Sequence, residues 1–241
     1  MLVNRTLFII FTVVLMLILS FLMKNIILAG IITFFIVMIA YLIISIFRGK
    51  KRINLLEENC DPEAFLEATE KQRKITGKNP KMNSYFDIDK SAGLILLGQF
   101  QEAKEVLLSI DQNLLSNKNG TLLIYTINLI ACLHELGEIE ESEKIYENQI
   151  PLLSPINKRL VLSMNFLIAD RLFFLGRLDE SKENFNELLK QKVSKRIYLS
   201  VLYRLAQIEE KTGNTEDARS KYKEVADKGN NLWIAKQTKK H

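Results

Sequence analysis

The chain has 241 residues, 48% of them hydrophobic and 25% charged, with a formal net charge of +5. No acidic residue occurs before Glu57, so the part from Arg48 onward holds 31 basic and 28 acidic residues, a near balance that offers no basic face to nucleic acid. Two cysteines, Cys60 and Cys132, make no disulfide framework and are expected as thiols, Cys132 inside an apolar helix.

Two apolar runs open the chain. Leu7–Met23 carries no charge and forms a helix of about 25 Å. Ile26–Phe47 gives about 33 Å, enough for a hydrocarbon core of roughly 30 Å. The first run needs its flanks Arg5 and Lys24 to snorkel. The second contains 15 Leu, Ile, Phe and Val residues, which favours insertion by roughly 5–9 kcal/mol. Both are apolar around their whole circumference, unlike a helix with one face in a core. A signal peptide is the rival reading, but no small-x-small cleavage site leads into a polar sequence. Arg48-Gly49-Lys50-Lys51-Arg52 places four positive charges in five residues, against Lys24 alone in the turn. The positive-inside rule then puts both termini in the cytoplasm of a multi-pass inner-membrane protein. Arg48, Lys50, Lys51 and Arg52 act as topology signals and meet lipid headgroups. Residues 1–53 form the membrane part and 54–241 a cytoplasmic domain.

Asn54–Asn59 continues the helix out of the membrane. Asp61-Pro62-Glu63 has a capping carboxylate, a first-turn proline and an acid favoured by the helix dipole. That helix is expected from Pro62 to Ile75, with Ala64, Phe65 and Ala68 packed inward and a stop at Gly77. Lys78–Asn83, with Pro80, reads as a loop. Gly98, Gly137, Gly176 and Gly213 then recur at separations of 39, 39 and 37 residues, a repeat period. Five residues after each stands a small one: Ala103, Ser142, Ser181 and Ala218. Nine after each stands a large one: Leu107, Tyr146, Phe185 and Tyr222. Four before stand Leu94, Leu133, Leu172 and Glu209, the last breaking the pattern. Glycine ends one helix in the left-handed conformation. The small residue lets the next helix approach, and the large one fills the space between pairs. Asn113–Thr121, Ile150–Asn157 and Lys190–Lys195 are inter-unit loops. Asn231–Lys240 is a final helix whose Leu232, Trp233 and Ala235 cap the stack.

The phrases Leu97-Gly-Gln-Phe-Gln-Glu-Ala103, Leu136-Gly-Glu-Ile-Glu-Glu-Ser142, Leu175-Gly-Arg-Leu-Asp-Glu-Ser181 and Thr212-Gly-Asn-Thr-Glu-Asp-Ala218 resemble the turn and second helix of the tetratricopeptide-repeat family. The resemblance covers residues 84–227, and reaches back to Asn54 if Pro62–Ile75 is half of a divergent unit. The period exceeds that family's usual ~34 residues, and no bulky aromatic marks the start of each first helix. The expected fold is therefore all-α: a two-helix transmembrane hairpin followed by a helical-hairpin, tetratricopeptide-like solenoid.

No phosphate loop, serine elbow or paired-carboxylate motif occurs, so no catalytic residue and no cofactor is expected. Cys132 and His134, two apart on a helix, point away from each other and do not suggest a metal site; the other histidine is the terminal His241. The acids Glu138, Glu140, Glu141 and Glu143 read as a solvated face. The resemblance implies a concave protein-binding face on the first helices, at Ile88, Ile127, Phe166 and Tyr203, with Asp170 as a lone polar handle and Phe173 and Phe174 adding apolar area. Such a groove suits an amphipathic helix; the plainer reading is self-packing in a tightly curled array. The expected function is a membrane-anchored scaffold for protein–protein interaction, with an unidentified protein or peptide and membrane lipid as partners and no nucleic acid. The alternatives are a peptide sensor using the same groove, or an enzyme or enzyme subunit. The spans hold no ionisable group for membrane chemistry.

Overall fold

The computed structural model describes residues 5–76 and 79–239, which form twelve α-helices and two short 3-10 turns, with no strand among the described residues. Helix α1 (Arg5–Met23) and helix α2 (Ile26–Glu57) are joined by Lys24-Asn25 and pack along each other. Asn25 caps α2 by accepting hydrogen bonds from the backbone N–H groups of Ile27 and Leu28. Ala29 and Thr33 are buried there, while Phe34 and Phe47 are more than 60% exposed. Such exposure has no place in a soluble core. Helix α2 is long and apolar enough to cross a membrane; the apolar stretch of α1, Phe8–Met23, is shorter. Beyond Phe47, α2 continues unbroken to Glu57, as the sequence suggests. The Arg5 side chain lies outside the described residues.

Helix α3 (Pro62–Thr76) starts where expected, with Asp61 Oδ1 accepting from Ala64 N at 3.1 Å. The Gly77 stop, Lys78, Lys240 and His241 fall outside the described residues. Helix α4 (Pro80–Leu97) corrects the expected loop over Lys78–Asn83: Asn79 caps it, accepting from Met82 N at 3.1 Å, and Pro80 is its first residue. An Asn-Pro pair read as a loop signal is here a cap followed by a proline whose missing N–H costs nothing.

The remaining helices are α5 (Phe100–Leu108), α6 (Thr121–Glu135), α7 (Ile139–Gln149), α8 (Lys158–Phe174), α9 (Leu178–Leu189), α10 (Lys195–Lys211), α11 (Thr215–Lys228) and α12 (Trp233–Thr238). The four repeated glycines all take positive φ, from 76° to 88°. Each reversal is closed by one recurring bond, in which the residue after the glycine donates to the residue four before it. Gln99 reaches Leu94 at 2.9 Å, Glu138 reaches Leu133 at 2.8 Å, Arg177 reaches Leu172 at 2.9 Å and Asn214 reaches Glu209 at 2.8 Å. The small residues that follow, Ala103, Ser142, Ser181 and Ala218, are all buried. Leu107 and Phe185 have no exposed surface, a burial worth about 1.5–3 kcal/mol each. Glu209, which breaks the leucine pattern, is buried yet satisfied by Lys182 Nζ at 2.9 Å and Asn214 Nδ2 at 2.8 Å.

The end of the chain returns to its beginning. Helix α10 packs on α2, and α12 packs on α4. Trp233 lies edge-on to both Phe100 and Tyr203, with centroids 5.3 Å away in each case. Asn231 N donates to the Cys60 carbonyl at 3.2 Å, and Asn230 Nδ2 to the Asn59 carbonyl at 3.0 Å. Leu232 and Ala235 are fully buried, as a cap requires, but α12 also locks the last pair onto the linker between α2 and α3. Cys60 and Cys132 are free and buried.

Candidate functional site

The returning helices line a half-open pocket of about 210 Å³. Its apolar lining comes from Ile88 on α4, Ile127 on α6, Phe166 on α8 and Tyr203 on α10, with Trp233 at one end. These are the residues ten before each glycine, so the repeat spacing brings four expected side chains to one space. The fifth wall is the last turn of α2, through Ile53, Leu56 and Glu57. The helix that leaves the apolar run thus forms part of the pocket.

Asp170 also lines the cavity, but it is not the lone polar handle expected. Its Oδ1 accepts from Arg204 Nε at 2.6 Å. Arg204 Nη2 donates to Glu135 Oε1, and Nη1 to Gln207 Oε1 at 2.8 Å. The guanidinium also stands over the rings of Phe173 and Phe174, 5.0 and 4.8 Å from their centroids. Phe173 and Phe174 therefore do not line the pocket; they pack behind it against this arginine. His134 stacks on Phe174 with centroids 4.7 Å apart, and its Nδ1 stops 3.7 Å from Asp170 Oδ2, too far for a hydrogen bond.

Burial raises the Asp170 pKa, but the charge and hydrogen bond of Arg204, together with the neighbouring His134, outweigh that and hold the carboxyl below its usual range. For Glu135 burial wins: its pKa is raised, with Arg204 opposing and Asp170 reinforcing. Burial alone would lower the Arg204 pKa, yet Asp170 and Glu135 together raise it. Arg204 is thus a permanent cation between two carboxylates, of which Asp170 is the secure anion.

A second charged group gathers around Arg196, eight residues before Arg204 on the same helix. Glu57 Oε2 accepts from Ser194 Oγ at 2.5 Å and from Arg196 Nε at 3.0 Å, while Oε1 accepts from Arg196 Nη2 at 3.0 Å. This clasp joins α2 to α10 across 139 residues of sequence. Arg52 turns inward: its Nη1 lies 2.7 Å from Asp89 Oδ2 and donates to Thr69 Oγ1 at 3.1 Å. Of the basic cluster, Arg48, Lys50 and Lys51 stay exposed, whereas Arg52 is held by the domain. Exposed Arg159 lines the cavity without an ion pair among the described residues.

The expected groove keeps its apolar majority, but Asp170 is joined in its lining by Glu135, Arg204, Arg196 and Arg159. Reading only the positions ten and six before each glycine samples a narrow strip of each helix. Arg204 sits nine before Gly213, Glu135 two before Gly137 and Arg159 seventeen before Gly176. Among the described residues, no group of three or more His, Cys, Asp or Glu side chains is placed to hold a metal ion. No family model, no curated protein and no solved structure matches this chain.

Proposed function

We propose that the protein is a membrane-anchored scaffold of tetratricopeptide-like helical pairs that binds a short segment of a partner protein, or a free short peptide, in its half-open pocket. In this reading α1 and α2 form a transmembrane hairpin with both termini in the cytoplasm, and the pairs from α4 to α11 form a solenoid curled into a ring. The observation that carries it is the cavity itself, with an apolar floor, charged walls and a wall supplied by the membrane helix. At about 210 Å³ it is far too small for an amphipathic helix, whose diameter with side chains is about 10–12 Å. A helical partner would require the Glu57–Arg196 clasp to open. The pocket as it stands favours one or two side chains of an extended segment.

A photo-crosslinking residue substituted for Phe166 in the full chain, irradiated in native membranes, tests this reading. The same group substituted for Glu183, exposed on the outer side of α9, is the control. A discrete adduct from position 166, absent from 183 and competed away by excess of the crosslinked peptide, is expected. Adducts from neither position, or equally from both, would refute the pocket as the binding site.

A further inference from the structure

Cross-contacts fix how the first helices of the domain run. Arg52 meets Thr69 and Asp89, Arg73 pairs with Asp87, and Gly93 lies against Leu66. Hence α3 runs opposite to both neighbours, and α2 and α4 run the same way with Arg52 level with Asp89. Stepping back from each by nine residues, about 14 Å of helix, brings Pro80 level with Ile43, inside the apolar stretch of α2. The end of α3 and the start of α4 therefore stand where α2 leaves its apolar run.

Two more loops are stitched to that level. Asn119 Nδ2 donates to Tyr85 Oη at 2.8 Å, and Asn117 Nδ2 to the Leu152 carbonyl at 3.3 Å. Leu160 and Ile156 lie against Gly120. By contrast the start of α10 holds Glu57, ten residues past Phe47, so that end of the array stands about 15 Å further along α2.

Among the described residues outside α1 and α2, six large apolar side chains are exposed: Ile75, Leu108, Leu152, Ile156, Val161 and Leu175. Five of them fall on this one edge, at the end of α3, the end of α5, the loop after α7 and the first turn of α8. Leu152 at 75% and Leu108 at 59% are as open as residues of the apolar run. Lys74, Lys81, Lys118 and Lys158 are exposed on the same edge, and none has an ion pair among the described residues. The opposite edge, at the glycine turns, carries acids in the first turn of every following helix: Glu102 on α5, Glu140 and Glu141 on α7, Asp179 and Glu180 on α9, Glu216 and Asp217 on α11. Scattered apolar residues mean nothing, but five gathered with unpaired lysines, opposite an acidic edge, are a polarised surface.

We infer that this edge lies on the anionic headgroup surface of the membrane as a second contact, with Leu108, Leu152 and Ile156 reaching into the interface. The inference rests on the membrane-anchored reading above. Charge complementarity selects the occupant: lysines attract anionic lipid, and the acidic turns are repelled from it. The ring's mouth and its tethering helix would then be held at a fixed height over the bilayer.

The test uses full-chain protein reconstituted into vesicles, carrying a fluorophore on Leu152→Cys or, as control, on Glu140→Cys; Cys60 and Cys132 are fully buried and leave labelling specific. A headgroup-attached quencher in vesicles containing phosphatidylglycerol is expected to quench position 152 about threefold more than 140, with the difference shrinking in high salt. Lys118→Glu with Lys158→Glu should reduce it, with unchanged circular dichroism. Equal quenching at 152 and 140, with the protein still resisting alkaline extraction, overturns the inference while leaving the anchor standing. Equal quenching at 152 in phosphatidylcholine vesicles overturns the anionic selectivity. Extraction of the protein by alkali overturns the anchored reading and this inference together.

Discussion

Arg204 is the residue on which the interior most depends. It is 6% exposed and is the cation shared by Asp170 and Glu135. Removing one partner of a buried ion group leaves the others uncompensated, which costs about 3–5 kcal/mol. Arg204→Met should therefore lower the denaturation midpoint by that much, while Arg171→Met, whose partner Glu143 is 20% exposed, should cost much less. Similar losses for both variants in a denaturant titration would refute a special role for the buried cluster. Which charges meet here was only partly legible in the sequence. Ile88, Ile127, Phe166 and Tyr203 could be placed because the resemblance puts the residue ten before each turn glycine on the inner face of its helix. Arg204, Glu135, Arg196 and Glu57 could not, because they come together only when α10 closes on α2 and α8, and nothing local in the chain encodes that closure.

Glycine turns define the elements, and their environments differ in a way that substitution can read. Gly176 has φ +76° and open space where a Cβ would stand, so Gly176→Ala carries only the left-handed backbone penalty of roughly 1–2 kcal/mol. Gly98 has φ +80° and also faces Trp233, whose Cβ would lie 3.0 Å from the new Cβ. Gly98→Ala should then cost more than Gly176→Ala and shift the fluorescence of Trp233, the chain's single tryptophan. Equal midpoints and an unmoved spectrum would show that α12 does not bear on the first turn. The helices themselves were readable, since the caps, glycines and small-residue spacings are local signals. The start of α4 was missed because Asn79-Pro80 serves equally as a loop signal or a cap. The reach of α12 was missed because a cap at one end of a stack and a tie back to its start have the same apolar composition.

At the scale of the whole molecule, α10 meets α2 and α12 meets α4 through few contacts over great sequence distance, and closure of that kind is entropically costly to form. The Glu57–Arg196–Ser194 clasp is one polar part of this closure, beside the Asn230 and Asn231 hydrogen bonds to the linker before α3, and its carboxylate makes it responsive to acid. Burial raises the Glu57 pKa, but the charge and hydrogen bonds of Arg196, with Ser194, overcome this and leave it below the usual glutamate range. A carboxyl lowered in the folded state contributes stability that is fully present above its unfolded pKa and is lost as pH falls through the folded value. Glu57→Gln keeps the shape and removes the charge, so it should cost about 2 kcal/mol at neutral pH, the worth of hydrogen bonds to a charged group. The gap between the two proteins should narrow below the usual glutamate pKa and vanish once Glu57 itself is protonated. Urea titrations of full-chain protein in detergent, followed by Trp233 fluorescence at several pH values, would measure it. A gap that persists undiminished into acid would mean that the charge of Glu57 does not hold the ring. The pocket would then owe its closure to the apolar packing of Cys60, Tyr203, Leu232 and Ile234 and to the asparagine hydrogen bonds.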